Sequence, residues 1–241
     1  MTPDPYPVIH LGEVASTMDA ARERLAAGEP APFWVVAESQ AGGRGRHGRQ
    51  WVSPPGNLYA TLALCEPCDP ARGPELGFVA GLALHQAVAE TACLTHPALA
   101  IKWPNDLLLD GAKLAGILLE GITLAGRFHV LVGIGVNVAH APEGTPYPAR
   151  ALGAGPDETL RLALFEALRR AWASSEAQWR AGFGETRAAW LARAAHLGKP
   201  ARVRLPAGEL SGVMRGIDSQ GRLLLDVEGA ERVIEAGDVF L

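Results

Sequence analysis

The chain has 241 residues, 48% of them hydrophobic, with 22 basic and 26 acidic side chains for a formal net charge of -4. That length fits one domain plus part of a second. The ordinary apolar content excludes a disordered acidic or basic tail protein, and the negative balance argues against a general nucleic-acid binder. Of the basic residues, 19 are Arg, and Lys102, Lys113 and Lys199 are the three lysines. In a chain that nearly always uses Arg, each Lys asks why Arg was not used. Three cysteines (Cys65, Cys68, Cys93) make no secreted disulfide framework. MTPDPYPVIH has no basic and then apolar leader, so a cytoplasmic location is expected. The most apolar stretch, Phe78 to Leu94, is broken by His85, Gln86 and Glu90 and reads as a buried helix, not a membrane span.

In chain order, about fifteen residues precede a helix with Ser16 as its N-cap and Asp19 as the return partner of a capping box. Met18, Ala21 and Leu25 fall at helical spacing, and Gly28 supplies the stop. Phe33–Glu38 reads as a strand, residues 40–50 as a Gly/Arg loop, and Asn57–Leu64 as a second strand. A long helix covers Pro74 to Cys93. ALAIKW ends a strand at the turn Pro104-Asn105-Asp106, and a hairpin turns at Asp110-Gly111. Arg127–Val138 is a strand containing two glycines. Asp157 caps a helix running toward Trp179, and a further helix covers about Glu185–Ala195. After Leu197 come short strands separated by Pro206-Ala207-Gly208, Asp218-Ser219-Gln220-Gly221 and Glu228-Gly229. They predict a small β-barrel of about 45 residues, too small to build a core alone and so packed on the larger domain.

Three segments carry candidate chemistry. Residues 42–49, GGRGRHGR, formally contain GxGxxG, but two prolines and a strand follow instead of the helix a dinucleotide loop needs. Kinase and Walker A elements are also missing. What remains is a flexible loop whose glycines let backbone approach a ligand and whose arginines offer forked donors to phosphate or carboxylate. The plainer reading is a solvated surface loop. The second segment is Lys102-Trp103-Pro104-Asn105-Asp106, followed closely by Lys113. Lysine is a compact charge able to follow a reacting oxygen, and Lys102 at a strand end stands where ligand groups gather. Lys113 is left open between a site residue and a solvated hairpin residue. The third is Gly133-Ile134-Gly135-Val136-Asn137, where glycines inside an apolar strand mark close approach or a bulge. Cys65-x-x-Cys68 lacks a second pair at zinc spacing and reads as loop. The scattered histidines suggest neither a metal triad nor a Ser-His-Asp order.

Taken in order, Ser16-Thr17, the run from Gln40 to Trp51, Lys102–Asp106, Lys113-Leu114-Ala115-Gly116-Ile117-Leu118 and Gly133–Asn137 resemble the biotin–protein ligases over essentially the whole chain. The resemblance implies an α+β fold. It comprises a catalytic domain related to class II aminoacyl-tRNA synthetases over residues 1–196 and an SH3-like barrel over 197–241, with no N-terminal DNA-binding domain. It implies activation of biotin with MgATP to biotinyl-5′-AMP, then transfer to one lysine of a biotin carboxyl carrier domain. It implies biotin contacts at Ser16, Thr17, Met18, Gln40, Arg44, Gly45, Arg46, Lys102, Gly116 and Gly133. ATP or adenylate contacts are implied at Arg44, Arg46, Trp51, Lys102, Asn105, Gly135 and Asn137, with Lys102, Arg44 and Arg46 as the catalytic cations. The metal ligands stay unknown. Met18 departs from the Asn common in the family, which removes a polar contact; Gly42 and His47 are milder departures. No nucleic-acid or membrane partner is expected, and a homodimer is possible. Two rivals share parts of the pattern: a lipoate–protein ligase and a biotin-sensing repressor. A non-catalytic interaction module would not need Lys102 or the Arg loop.

Overall fold

A computed structural model describes residues 6–93, 98–145, 147–205 and 208–240. Seven strands form one mixed sheet in the order β1-β2-β3-β7-β6-β5-β4. They are β1 Val8–Val14, β2 Phe33–Gln40, β3 Leu58–Cys65, β4 Leu99–Lys102, β5 Asp106–Leu109, β6 Ala112–Leu124 and β7 Arg127–Val136. β1 and β2 are parallel, and every other neighbouring pair is antiparallel. The hairpin of β5 and β6 turns through Asp110 and Gly111, both at positive φ (49° and 79°), as the Asp-Gly pair predicts.

The period-2 alternation of the central strands sorts their side chains between two layers. Trp34 and Val36 of β2, Ala60, Leu62 and Leu64 of β3, and Val130, Val132 and Ile134 of β7 join the large core. That core is completed by helices α2 (Glu75–Thr91) and α3 (Glu158–Ala181). Trp34 meets Phe165 and Trp172 edge-on at 5.7 and 6.2 Å. The opposite parity (Phe33, Val35, Ala63 and Leu131) packs under helix α1 (Thr17–Ala26) through Met18, Ala21 and Leu25. Gly133 and Gly135 continue the Leu131 parity, so they form bare sheet floor just beyond the end of α1. The functional side of the sheet follows from that register.

Several expectations need correction. β1 was not foreseen: it is a half-exposed edge strand, and its parallel pairing with β2 leaves only a weak alternating pattern. The capping box does not form. Ser16 caps α1 by accepting from Met18 N at 3.2 Å, but the Asp19 carboxylate turns outward to Arg44. The fourth helix, α4, spans Phe183–Leu191 and stops short of Ala195. The chain leaves it to lie along β4, with Ile101 N donating to Arg193 O and Ala195 N to Ile101 O, both at 2.8 Å. An edge strand with free backbone groups outcompetes another helical turn. Leu94 lies outside the described residues.

The C-terminal strands are β8 Pro200–Leu205, β9 Gly208–Ile217, β10 Leu223–Val227, β11 Ala230–Ile234 and β12 Asp238–Phe240. They pair antiparallel in the order β11-β10-β9-β8-β12, an open ladder among the described residues. Of the turn expected at Pro206-Ala207-Gly208, the first two residues lie outside the described ones. The sheet docks as expected: Trp103 Nε1 donates to Gly221 O at 3.0 Å, and Arg187 Nε to Ile217 O at 2.7 Å.

Candidate active site

Elements far apart in sequence converge on one cavity above Gly133 and Gly135. α1 contributes Ser16, Thr17 and Met18, and β2 contributes Gln40. The Gly/Arg loop adds Arg44, Gly45, Arg46 and Trp51; Lys102 and Asn105 come from the β4–β5 turn, and Gly116 from β6. Thirteen of the fourteen residues that the family resemblance implies therefore line this cavity, and Asn137 lines an adjoining one.

The inner end is polar and fully knit. Thr17 N and Oγ1 both donate to Gln40 Oε1 (2.9 and 3.1 Å), Thr61 Oγ1 donates to Thr17 Oγ1 (2.9 Å), and Gln40 Nε2 donates to Ser53 Oγ (2.9 Å). Thr17 and Thr61 are buried, so these groups are oriented by one another and not by water. Met18 lies across the floor: a Cβ on Gly133 would come within 2.7 Å of its Sδ. Trp51 does the same at Gly135, where a Cβ would lie 2.6 Å from Nε1. Both strand glycines therefore mark close approach by a side chain.

Three charges meet at the middle. Lys113 Nζ is 2.7 Å from Asp106 Oδ1, and Lys102 Nζ is 3.5 Å from Asp106 Oδ2. Lys113 also lies over the rings of Trp51 and Tyr147, 5.4 and 5.3 Å from their centroids. It lines both the main cavity and the adjoining one. Lys113, left open by sequence, stands at the junction of the two cavities. Asp106 and Tyr147 were missed. Asp106 reads in sequence as a turn residue, and Tyr147 sits in a proline-rich loop without periodicity. The loop is brought in by backbone, since Lys113 N donates to Pro148 O and Arg150 N to Lys113 O.

The adjoining cavity is bounded by Trp51, Lys113, Tyr147 and Asn137. Asn137 is 1% exposed. Its amide nitrogen donates weakly to Lys113 O and Arg150 O (3.4 and 3.3 Å), and its Oδ1 is buried without a partner, as is Trp51 Nε1. Buried polar atoms without partners are rare and call for a ligand or water.

The arginines of the loop are all paired, and Arg46 Nη1 also lies 3.4 Å from Asn105 Oδ1 in the cavity wall. Arg44 makes two hydrogen bonds to Asp19, 2.6 and 2.7 Å long. Arg46 Nη1 donates to Gly237 O at 3.2 Å and lies 3.7 Å from Asp238, which Arg49 holds at 2.9 Å. Burial lowers the Arg46 pKa, which the charge of Asp238 opposes. The last strand, β12, thus supplies part of the cavity wall, which sequence did not suggest. Among the described residues, no group of three or more His, Cys, Asp or Glu side chains could hold a metal, and no helix is long and apolar enough to cross a membrane.

Residues 12–137 match the biotin/lipoate A/B protein ligase family, and residues 196–241 match the biotin protein ligase C-terminal domain. The chain belongs to the biotin/lipoate A/B protein ligase family. The biotin–[acetyl-CoA-carboxylase] ligase of Paracoccus denitrificans is 43% identical over 230 residues, covering 90% of this chain and 93% of that protein. The solved biotin protein ligase of Aquifex aeolicus in complex with biotin and ATP superposes with a TM-score of 0.81 at 26% identity, covering 97% of each chain. The Leishmania major biotin protein ligase in complex with biotinyl-5-AMP is 29% identical with a TM-score of 0.66, covering 96% of this chain and all of that one. The α+β class, with a mixed sheet and a C-terminal β unit, accords with these relatives.

Proposed function

We propose that the chain is an ATP-dependent biotin–protein ligase acting on the carboxyl carrier domain of a carboxylase. The observation that carries this reading is the place of Lys113. Its ammonium stands between a pocket of knit amide and hydroxyl groups and a second pocket walled by aromatic rings with an unpaired buried amide oxygen.

In this reading the inner pocket takes the ring end of biotin. Ser16, Thr17 and Gln40 offer both donors and acceptors, which suits a neutral cyclic urea better than the dithiolane of lipoate. Met18, Gly116 and Gly133 give the apolar floor, and glycine is used where Met18 and Trp51 need the space of a side chain. The tail carboxylate reaches the cations. Adenine enters the second pocket, on Trp51 beside Gly135, where Asn137 Oδ1 can accept from its exocyclic amine. Asn105 fixes the turn, its Nδ2 donating to Ile117 O at 2.7 Å.

The carboxylate attacks the α-phosphorus, the bond to the β-phosphate breaks, and pyrophosphate leaves. Two anions must approach, and Lys113 with Lys102 and Arg46 offsets that repulsion as charge develops. Asp106 keeps both lysines aimed. Arg44, expected among the catalytic cations, is held by Asp19 and, with Gly45, is read as part of the covering loop. The carrier lysine then attacks the acyl carbon, and AMP departs with the C–O bond electrons. No protein nucleophile is required. ATP enters as its Mg2+ complex. The carboxylates at hand (Asp106 and Asp238) are paired with cations, so the nucleotide phosphates and water supply most of the metal ligands.

We read the domain boundary at 196/197, and the C-terminal sheet as an SH3-like barrel. A Cβ at Gly212 would run into the carbonyl of Asp226 on the neighbouring strand β10, so β9 approaches β10 closely there. The enzyme is taken to work in the cytoplasm without nucleic acid, with homodimerisation open to sedimentation. The direct test uses purified carrier domain, biotin and ATP. Biotin attached to one carrier lysine supports the reading, and no ATP-dependent attachment refutes it.

A further inference from the structure

Resting on that reading, we propose that Asp19 is a positioning residue: by gripping Arg44 it keeps the Gly/Arg loop closed over the acyl-adenylate until the carrier lysine arrives. Asp19 has the first-turn place from which a carboxylate commonly serves its own helix. Here that end is already satisfied, with Ser16 accepting from Met18 N and Gln40 accepting from Thr17 N. Both Asp19 oxygens reach across to the loop and take both Nη atoms of Arg44, while Oδ1 also accepts from Arg22 Nη1.

The loop needs such a grip. Its base is tied by backbone hydrogen bonds: Ala41 N to Val14 O, Gly42 N to Ala15 O, and Trp51 N to Gly43 O. Beyond that base, the backbone bonds Gly45 N to Arg49 O and Arg49 N to Arg46 O stay within the loop. Among the described residues the tip is fastened to the rest of the protein by its arginine side chains. Arg46 and Arg49 reach the C-terminal sheet, and Arg44 reaches α1. Among the described residues, the two-pronged Arg44 pair is the sole side-chain fastening of the tip on the α1 side, at the mouth of the cavity. Asp19 is in turn braced by Arg22 at 3.2 Å, which also pairs with Glu120 on β6. The hydrogen bond and charge of Arg44 hold the Asp19 carboxyl below the usual carboxylate range, so the pair stays intact through neutral pH.

The test compares wild type with Asp19→Asn, Asp19→Glu and Arg22→Gln. Each is given labelled biotin, ATP, the carrier domain and a lysine-rich bystander protein. Two quantities are read: biotin-dependent pyrophosphate exchange, and the share of label on the bystander. Asp19→Asn is expected to raise the bystander share about 3- to 10-fold, the scale set by a half-exposed bidentate pair. Exchange stays unchanged. Asp19→Glu, which keeps the charge, restores most of the retention, and Arg22→Gln, which removes only the brace and leaves the Arg44 pair in place, leaks less than Asp19→Asn. Wild-type retention in Asp19→Asn, or equal leakage from Arg22→Gln, overturns the proposal. A wild-type enzyme without biotin-dependent exchange overturns the functional reading itself, and this proposal with it.

Discussion

Replacing Gly135 with Ala separates the nucleotide pocket from the rest of the site. Gly135 lies in the ladder between Tyr59 and Gly116, so strands on both sides hold its backbone. A Cβ there would sit 2.6 Å from Trp51 Nε1, 2.7 Å from Cε2 and 3.1 Å from Cζ2. Carbon contacts settle at about 3.5–4.0 Å, so the ring must retreat by about 1 Å. The sheet cannot yield, but Trp51 sits in a loop and can. Overpacking of this kind costs about 1–3 kcal/mol. Expressed as lost binding, that is a rise of about 5- to 150-fold in the KM for ATP. The assay is biotin-dependent pyrophosphate exchange at saturating biotin with ATP varied, and melting is followed as a control. Gly133→Ala makes the paired comparison, because its Cβ would meet the flexible end of Met18 at 2.7 Å. Its smaller penalty falls on the KM for biotin. An unchanged KM for ATP in a normally folded Gly135→Ala protein, or equal effects of both variants on both substrates, would refute the argument.

Lys113→Ala is expected to lower adenylation by about 100- to 1000-fold, the scale of removing one group that meets developing charge. Lys102→Arg, which keeps a cation at the wall, costs less; pyrophosphate release ranks the two, and the reverse order contradicts the central place given to Lys113. Asn137→Ala removes the unpaired buried oxygen and is expected to raise the KM for ATP about 10-fold, the worth of one buried hydrogen bond. Calorimetry should find biotin binding unaltered, and a comparable loss for biotin would remove the adenine assignment. His196, between α4 and β8, is pushed down to about 4 by burial, with the charges of Lys199 and Lys102 adding to the effect. The unfolded chain therefore binds this proton at higher pH than the folded one, so the neutral ring's contribution is complete above about pH 6.5 and is lost as pH falls toward 4. Allowing for solvent screening of a half-exposed ring, this amounts to about 1–2 kcal/mol. Denaturant melts of His196→Asn should show a flatter dependence between those pH values, and an unchanged slope would count against it.

Part of the site was legible because ligand chemistry leaves local marks, and the family resemblance supplied most of the rest. Glycines inside an apolar strand, arginines among glycines, and a lysine at a strand end each have a local reason, and they proved to share one cavity. What escaped was long-range. Asp106 looks like any turn aspartate until Lys102 and Lys113 close on it. Tyr147 depends on a loop recruited by the backbone of Lys113, and Asp238 lies some 190 residues from the arginines it holds. The helices and the central hairpins were legible from period and turn chemistry. Strand β1, an edge whose partner is β2, was not, nor was the early end of α4, which is set by pairing with β4. Asp19 failed most instructively, since the capping-box spacing was present but a guanidinium from another segment outbid the helix end.

The central claim is that this cavity makes an acyl-adenylate of biotin, and isotope exchange between pyrophosphate and ATP measures it most directly. Exchange that requires biotin, is not supported by lipoate and is lost in Lys113→Ala is the expected result. Exchange without biotin, equal exchange with lipoate, or none with either acid would contradict it.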